Sequence, residues 1–135
     1  NHLQDCGKDY QTLNRVYLTH DALAAHGATV EMLTAPRAPE PLRATIRDLN
    51  EKTAHLLDAS RPFADLIDDT RLAMNVGAIQ ALAEELVARL RVADPLSEKV
   101  HAGKLGFALT GARGAFAALA RRIMRPRRLA MDATQ

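Results

Sequence analysis

Apolar residues recur along most of the chain at spacings of three and four residues, which is the pattern of an amphipathic α-helix. The first long run is predicted to begin at Pro41, a favoured residue type for a first helical turn. It is predicted to end near Ser60, because the next residue, Arg61, precedes a proline. Its apolar positions are Leu42, Ile46, Leu49, Leu56 and Leu57.

Two further long helices follow. One is predicted to begin near Asp68 or Asp69, acids suited to a helix cap, and to continue to Arg91. Its apolar positions are Leu72, Val76, Ile79, Leu82, Leu86 and Leu90. The other covers Lys104–Met124 and contains three glycines, each of which costs about 1 kcal/mol relative to Ala in a helix interior. We expect these glycines to allow close helix packing.

The elements before residue 41 are shorter. Helices are predicted over Asp21–His26, ended by Gly27, and over Val30–Leu33. The helical pattern breaks over Tyr10–Thr19, and the proline-rich stretch Ala35–Pro41 is predicted to be a loop. Asp94 and Pro95 mark a further helix start. Since no alternating apolar and polar run predicts a strand, the fold class is expected to be all-α, in one domain.

Composition narrows the function classes. Hydrophobic residues make up 47% and charged residues 25% of the 135 positions, as in ordinary globular domains. Only 4% are aromatic, which argues against a protein that stacks nucleic-acid bases, so no specific nucleic acid is expected as a partner. A single cysteine, Cys6, excludes an intrachain disulfide and a zinc site with several cysteines, and a buried structural thiol is expected.

Charge is unevenly placed along the chain. The formal net charge is +2, but the basic C-terminal tail, residues 121–135, holds five arginines. These are Arg121, Arg122, Arg125, Arg127 and Arg128. No apolar run reaches the 18 residues of a membrane helix and no signal peptide is visible, so a cytoplasmic protein is expected. The tail suggests peripheral contact with an anionic membrane, although a solvated basic end explains it equally well.

Candidate chemistry lies at the start of the chain. Asn1, Asp5 and Asp9 follow one another at steps of four residues and so share one helix face. Two carboxylates at this spacing suit Mg²⁺, which is commonly held by one or two carboxylates together with substrate phosphates. Taken alone, the same spacing is also typical of a solvated helix face. The chain opens at Asn1, without Met, which suggests a piece of a longer protein.

The residues around this pair make the pattern more specific. The run from Asn1 to Tyr10, followed by Arg15, Val16, Tyr17 and Leu18, resembles the second aspartate-rich motif of the squalene and phytoene synthase family. Looser similarity to the bacterial hopanoid-pathway branch continues through residues 35–38 and 94–104. One departure is Gln4, where many relatives have Arg, and this puts a charge-assisted diphosphate contact at that position in doubt.

The resemblance implies an isoprenoid synthase fold in which two aspartate-rich motifs face each other across a deep apolar cavity. Only the second motif has a candidate here, so residues 1–135 are expected to be the C-terminal half of a single prenyl synthase domain. Apolar stripes of the two helices from Pro41 and Asp69 are then expected to be covered by the missing N-terminal half or by a second chain.

The resemblance also assigns roles to individual residues. Asp5 and Asp9 would be the catalytic carboxylates and the ligands of Mg²⁺, while Asn1, Arg15, Tyr17 and Lys104 would bind the isoprenoid diphosphate substrate. A solvated Arg15, an apolar packing role for Tyr17 and an ordinary surface Lys104 are the alternatives. The cavity is expected to be lined from residues 70–90, for instance by Met74, Val76 and Ile79, although core packing predicts the same pattern.

The implied reaction converts presqualene diphosphate and water into hydroxysqualene and diphosphate. A phytoene or dehydrosqualene synthase would share the metal motif and resolve the carbocation differently. A non-catalytic helical interaction module is the alternative from another class, favoured by the missing first motif and the arginine tail. The fragment alone is expected to be inactive, because one acid pair would contact the diphosphate from one side only.

Overall fold

A computed structural model describes residues 2–98, 100 and 102–124, and every regular element in these residues is helical. The α-helices are α1 (His2–Leu13), α2 (His20–Ala25), α3 (Glu40–Ser60), α4 (Thr70–Leu90) and α5 (Lys104–Met124). Two 3₁₀ helices, Val30–Thr34 and Arg61–Leu66, precede α3 and α4. The all-α prediction is therefore confirmed for the described part of the chain.

The long helices have the bounds that their apolar periodicity predicted. Helix α3 begins at Glu40, one residue before the predicted Pro41, and ends at Ser60. Asp69 is the N-cap of α4, and its side chain accepts a hydrogen bond of 2.7 Å from the backbone N–H of Leu72. Helix α5 coincides with the predicted range.

Two local predictions were wrong. Helix α1 continues through the stretch after Tyr10 and ends at Leu13, where Asn14 adopts a left-handed backbone with φ of 51°. Asn tolerates this conformation, which ends the helix without a glycine. Asp94 and Pro95 begin only a single turn, because the Asp94 carboxylate accepts hydrogen bonds from the N–H groups of Leu96 and of the distant Ala38.

The main core lies where α1, α2 and the first 3₁₀ helix meet α3. Its members are Cys6, Leu18, Leu23, Ala28, Leu33, Ala38, Leu42 and Ile46. Cys6 has no exposed surface, which confirms the prediction of a buried thiol. Burial raises the pKa of this thiol to about 11. The core fixes α1, and with it the two aspartates, against the first 3₁₀ helix.

A second packing layer joins α3 to α4 and α4 to α5. The buried Asn50 of α3 donates a 3.0 Å hydrogen bond to the carbonyl of Val87 in α4. Helices α4 and α5 cross at Gly77 and Gly114, where an added Cβ on Gly114 would lie 2.3 Å from the Gly77 oxygen. The expectation that a glycine of α5 permits close helix packing is confirmed at Gly114.

Large apolar side chains remain exposed on all three long helices. Leu56 of α3 is 71% exposed and Ile79 of α4 is 65% exposed. Helix α5 presents a stripe on the face away from α4, formed by Leu105, Leu109, Phe116 and Ile123. These surfaces fit the expectation that a further segment or chain covers them, and that expectation stays a prediction. Within the described residues, no helix is long and apolar enough to cross a membrane.

Candidate functional site

The two aspartates lie at the edge of the buried face of α1. Gln4, Cys6 and Gly7 form that buried face, while Asp5 and Asp9 are half-buried beside it. Gly7 is in close contact with Leu96, so that an added Cβ would lie 3.1 Å from the leucine Cγ. This contact brings α1 against the connection between α4 and α5, and it leaves both carboxylates accessible at one edge.

Tyr17 closes over Asp9 after the turn at Asn14. Its hydroxyl donates a 2.7 Å hydrogen bond to the Asp9 carboxylate, and its ring stacks on His2 with centroids 4.2 Å apart. The hydrogen bond to Asp9 raises the pKa of Tyr17, while a hydrogen bond with Arg15 acts in the opposite direction. The structure thus brings together Asp9, Arg15 and Tyr17, three of the residues predicted for the site.

A mainly apolar cavity of about 290 Å³ lies between α1, α4 and the start of α5. Its walls are formed by Gln4, Ile79, Leu82, Ala83, Glu85, Leu86, Arg89, Val100, Ala102 and Phe107. The Gln4 amide donates a 3.2 Å hydrogen bond to the Asp5 carboxylate, so the cavity adjoins the aspartate motif. Ile79 lines it as predicted, whereas Val76 lines a separate groove beside Arg61 and Arg121. Met74 lines neither space.

Two charged residues of the cavity wall, Glu85 and Arg89, were missed by sequence reasoning. The Glu85 carboxylate accepts a 3.0 Å hydrogen bond from Nε of Arg89 on the same helix, and a short one from the Thr110 hydroxyl of α5. The bond from Thr110, followed by that from Arg89, lowers the pKa of Glu85. The spacing of four residues between Glu85 and Arg89 was the available signal, but it is also that of an ordinary surface ion pair.

Other predicted residues do not meet at this cavity. Lys104 is exposed at the first position of α5 and does not line the cavity. Its predicted role in substrate binding therefore stays a prediction. Asn1 lies outside the described residues, as do Arg125, Arg127 and Arg128 of the basic tail.

The two described tail arginines are bound within the chain. Arg121 forms a 3.1 Å ion pair with Asp65, and Arg122 donates to the carbonyls of Ile67 and Asp68 just before α4. These contacts hold the end of α5 against the segment before α4. Arg121 and Arg122 therefore have partners within the protein, and the sequence pattern did not indicate these contacts.

The carboxylates of α1 could form only part of the coordination of a metal ion. Among the described residues, no three His, Cys, Asp or Glu side chains lie together as a complete metal site. Asp5 and Asp9 alone supply two carboxylates one helical turn apart. That set suits Mg²⁺, which keeps several waters and completes its coordination with substrate phosphates, and it does not suit a zinc site with four protein ligands.

A known protein family matches most of this chain. The family model for squalene/phytoene synthases matches residues 1–106, which include the aspartate helix and all the residues that line the cavity except Phe107. The chain belongs to the squalene/phytoene synthase family. Membership in this all-α terpenoid synthase family agrees with the predicted fold class and with the resemblance seen at the aspartate motif.

Curated members of the squalene/phytoene synthase family are similar over most of this chain. Hydroxysqualene synthase of Rhodopseudomonas palustris is 46% identical over 125 residues, which are 93% of this chain and 41% of the relative. The hydroxysqualene synthase of Zymomonas mobilis is 47% identical, over 84% of this chain and 39% of the relative. The hydroxysqualene synthase of Sinorhizobium fredii is 41% identical, over 82% of this chain and 38% of the relative. The chain thus spans about two fifths of their length, and no solved structure matches it.

Proposed function

We propose that this chain is the C-terminal part of a hydroxysqualene-forming prenyl synthase, which converts presqualene diphosphate and water into hydroxysqualene and diphosphate. The observation that supports it most is the apolar cavity whose wall includes Gln4, because Gln4 is hydrogen-bonded to Asp5 of the aspartate pair. An apolar chain and a diphosphate are the two parts of such a substrate. The names of the relatives point to the same product.

The proposal gives the aspartate motif the diphosphate end of the substrate. Asp5 and Asp9 would hold Mg²⁺, which when bound neutralises charge on the departing diphosphate. Tyr17 holds the Asp9 carboxylate in place through its hydroxyl, and Arg15 beside it presents a permanent cation at the same edge. A guanidinium matches phosphate oxygens with two parallel hydrogen bonds, so Arg15 would bind the diphosphate directly.

The cavity would receive the isoprenoid chains. Ile79, Leu82 and Leu86 of α4 present hydrocarbon to it, and Phe107 of α5 adds an aromatic ring. Once completed by a further segment, such walls would exclude water from most of a carbocation and leave few nucleophiles in reach. The cavity is too small for a molecule of thirty carbon atoms, because ligand sites of drug size already measure roughly 300–1,000 Å³. An additional wall from another segment is therefore part of the proposal.

That wall is proposed to come from an N-terminal segment of a longer protein, since this chain spans only about two fifths of the length of its relatives. The exposed Leu56, Ile79 and the outer stripe of α5 are the surfaces that such a segment would cover. It would also contain the first aspartate-rich motif, whose acids would face Asp5 and Asp9. Residues 1–135 alone are accordingly expected to release no diphosphate from presqualene diphosphate.

The test is a product assay with the protein expressed together with that N-terminal segment. It should form hydroxysqualene from presqualene diphosphate, and Asp5→Asn or Asp9→Asn should lower diphosphate release by at least about 100-fold. Asp21→Asn is the matched control, because Asp21 is exposed in α2 and does not line the cavity. Circular dichroism should show that all three variants fold.

Three results would each contradict part of the proposal. Wild-type rates in both the Asp5→Asn and Asp9→Asn proteins would remove the metal assignment. Formation of only dehydrosqualene or phytoene would replace the proposed product with that of the alternative synthases. Turnover by residues 1–135 alone would show that neither the additional cavity wall nor the first aspartate-rich motif is required.

A further inference from the structure

The cavity contains one feature that an inert hydrocarbon pocket would not need. Among the residues that line it in the described part of the chain, Glu85 is the single carboxylate. Its side chain keeps 24% of its surface exposed, beside Leu82, Leu86 and Phe107. A charged group against so much hydrocarbon is unfavourable unless it is paired, and Arg89 and Thr110 provide the pairing.

The pairing fixes the carboxylate and leaves it able to accept another hydrogen. Oε1 accepts from both Nε and Nη2 of Arg89, whereas Oε2 accepts from Thr110 and has room for a second donor. Arg89 holds Glu85 from one turn along α4, and Thr110 holds it from α5. The group is therefore ionised, oriented and adjacent to the cavity.

We propose that Glu85 orients the water molecule that captures the carbocation and accepts its proton. This inference rests on the proposed function. The water oxygen donates an electron pair to the cationic carbon and forms the C–O bond, which yields a protonated alcohol. One O–H bond of that oxonium then breaks, the proton passes to the free lone pair of the Glu85 carboxylate, and the neutral alcohol remains.

The lowered basicity of a paired carboxylate does not obstruct this step. A protonated alcohol is a far stronger acid than any carboxylic acid, so even a weakly basic carboxylate accepts its proton. What matters is position, because a carbocation that meets no oriented water loses a proton from carbon or rearranges instead. Glu85 would thereby act on the choice of product rather than on the release of diphosphate.

This separation gives the experiment its readout. The full-length protein is incubated with presqualene diphosphate, and both released diphosphate and hydroxysqualene are quantified. In Glu85→Gln, the ratio of hydroxysqualene to diphosphate should fall by about 100-fold, the lower end of what a positioned proton acceptor contributes. Diphosphate release should remain within about threefold of wild type, because Asp5 and Asp9 are intact.

Glu84→Gln is the matched control. Glu84 precedes Glu85 and accepts hydrogen bonds from Arg61 and Gln80 in a different groove. The Glu84→Gln protein should therefore give the same ratio of hydroxysqualene to diphosphate as wild type. Glu84 has no role in the step proposed here. Thr110→Val removes the donor that holds Glu85 from α5 but keeps the carboxylate, so the ratio should fall by less than in Glu85→Gln.

A second variant covers the case in which Glu85→Gln does not fold. Removing one member of an ion pair leaves the other unpaired, so Glu85→Gln combined with Arg89→Gln removes both charges and carries the same expectation. An unchanged ratio in either folded variant overturns the proposal, as does an equal fall in hydroxysqualene and diphosphate. A wild-type protein that forms no hydroxysqualene would instead refute the proposed function itself.

Discussion

The close crossing of α4 and α5 provides a quantitative test of the packing. In Gly114→Ala the new Cβ would lie 2.3 Å from the Gly77 oxygen and 2.6 Å from the Ala81 Cβ. Ordinary separations between such atoms are about 3.5 Å, so the helices would have to move apart by about 1 Å. The neighbouring oxygen belongs to the backbone and has no flexible side chain that would allow it to yield.

Two opposing energies decide the outcome. Replacing a helical glycine by alanine favours the helix by about 1 kcal/mol, whereas overpacking costs about 1–3 kcal/mol and occasionally more. Because both close contacts are with fixed atoms, we expect the larger cost, and a net loss of about 1–2 kcal/mol in the free energy of unfolding. For a chain of this size that corresponds to a fall in Tm of about 3–8 °C.

Gly111→Ala is the matched control on the same helix. Its Cβ would lie 3.7 Å from the Leu82 Cδ1, an ordinary contact, so the helical preference of alanine should raise stability by up to about 1 kcal/mol. Thermal unfolding followed by circular dichroism measures both variants. If Gly114→Ala proves as stable as Gly111→Ala, the close crossing of α4 and α5 is wrong.

Two further predictions concern the contacts between the layers. Asn50→Ala should lower the free energy of unfolding, measured by urea titration, by about 1–3 kcal/mol, because it leaves the Val87 carbonyl without its buried donor. Thr53→Ala, at an exposed site on the same helix, is the control and should change the free energy of unfolding little. Burial of Asp94 would raise its pKa, but hydrogen bonds from Leu96 and Ala38 outweigh it and lower the pKa below 3.8. Its stabilising effect is therefore present above pH 3.8 and lost as the pH falls further, so urea titrations should show the stability gap between wild type and Asp94→Asn closing from pH 7 to pH 3. A gap that stays constant over this range would contradict that account.

Prediction from sequence succeeded where the structure depends on periodicity and local caps. The bounds of α3, α4 and α5 follow from apolar spacing together with Pro41 and Asp69, which are local signals. The path after Tyr10 was not predicted, because it depends on the left-handed turn at Asn14. Asn adopts that conformation only in some contexts, so its sequence position alone did not reveal the end of α1.

Contacts between distant elements could not be predicted from the same signals. The glycines of α5 indicated close packing, but nothing local identified Gly77 as the partner of Gly114. The bond from Tyr17 to Asp9 depends on the chain reversing after α1. Glu85 was missed because a Glu and an Arg four residues apart are usually solvent-exposed, and only the packing of α5 turns this pair toward a cavity.

The same distant contacts determine how the site is held together. Asp94 bonds the loop before α3 to the turn that leads toward α5, and Leu96 of that turn packs against Gly7 in the middle of the aspartate helix. A shift of the α4–α5 connection would therefore move α1 as well. Since Gln4 of α1 forms part of the cavity wall and is bonded to Asp5, the distance between the aspartates and Glu85 depends on this chain of contacts. In the proposed site, one set of contacts would therefore position both the diphosphate end and the water-capturing end, and the stability of this connection would affect the choice of product.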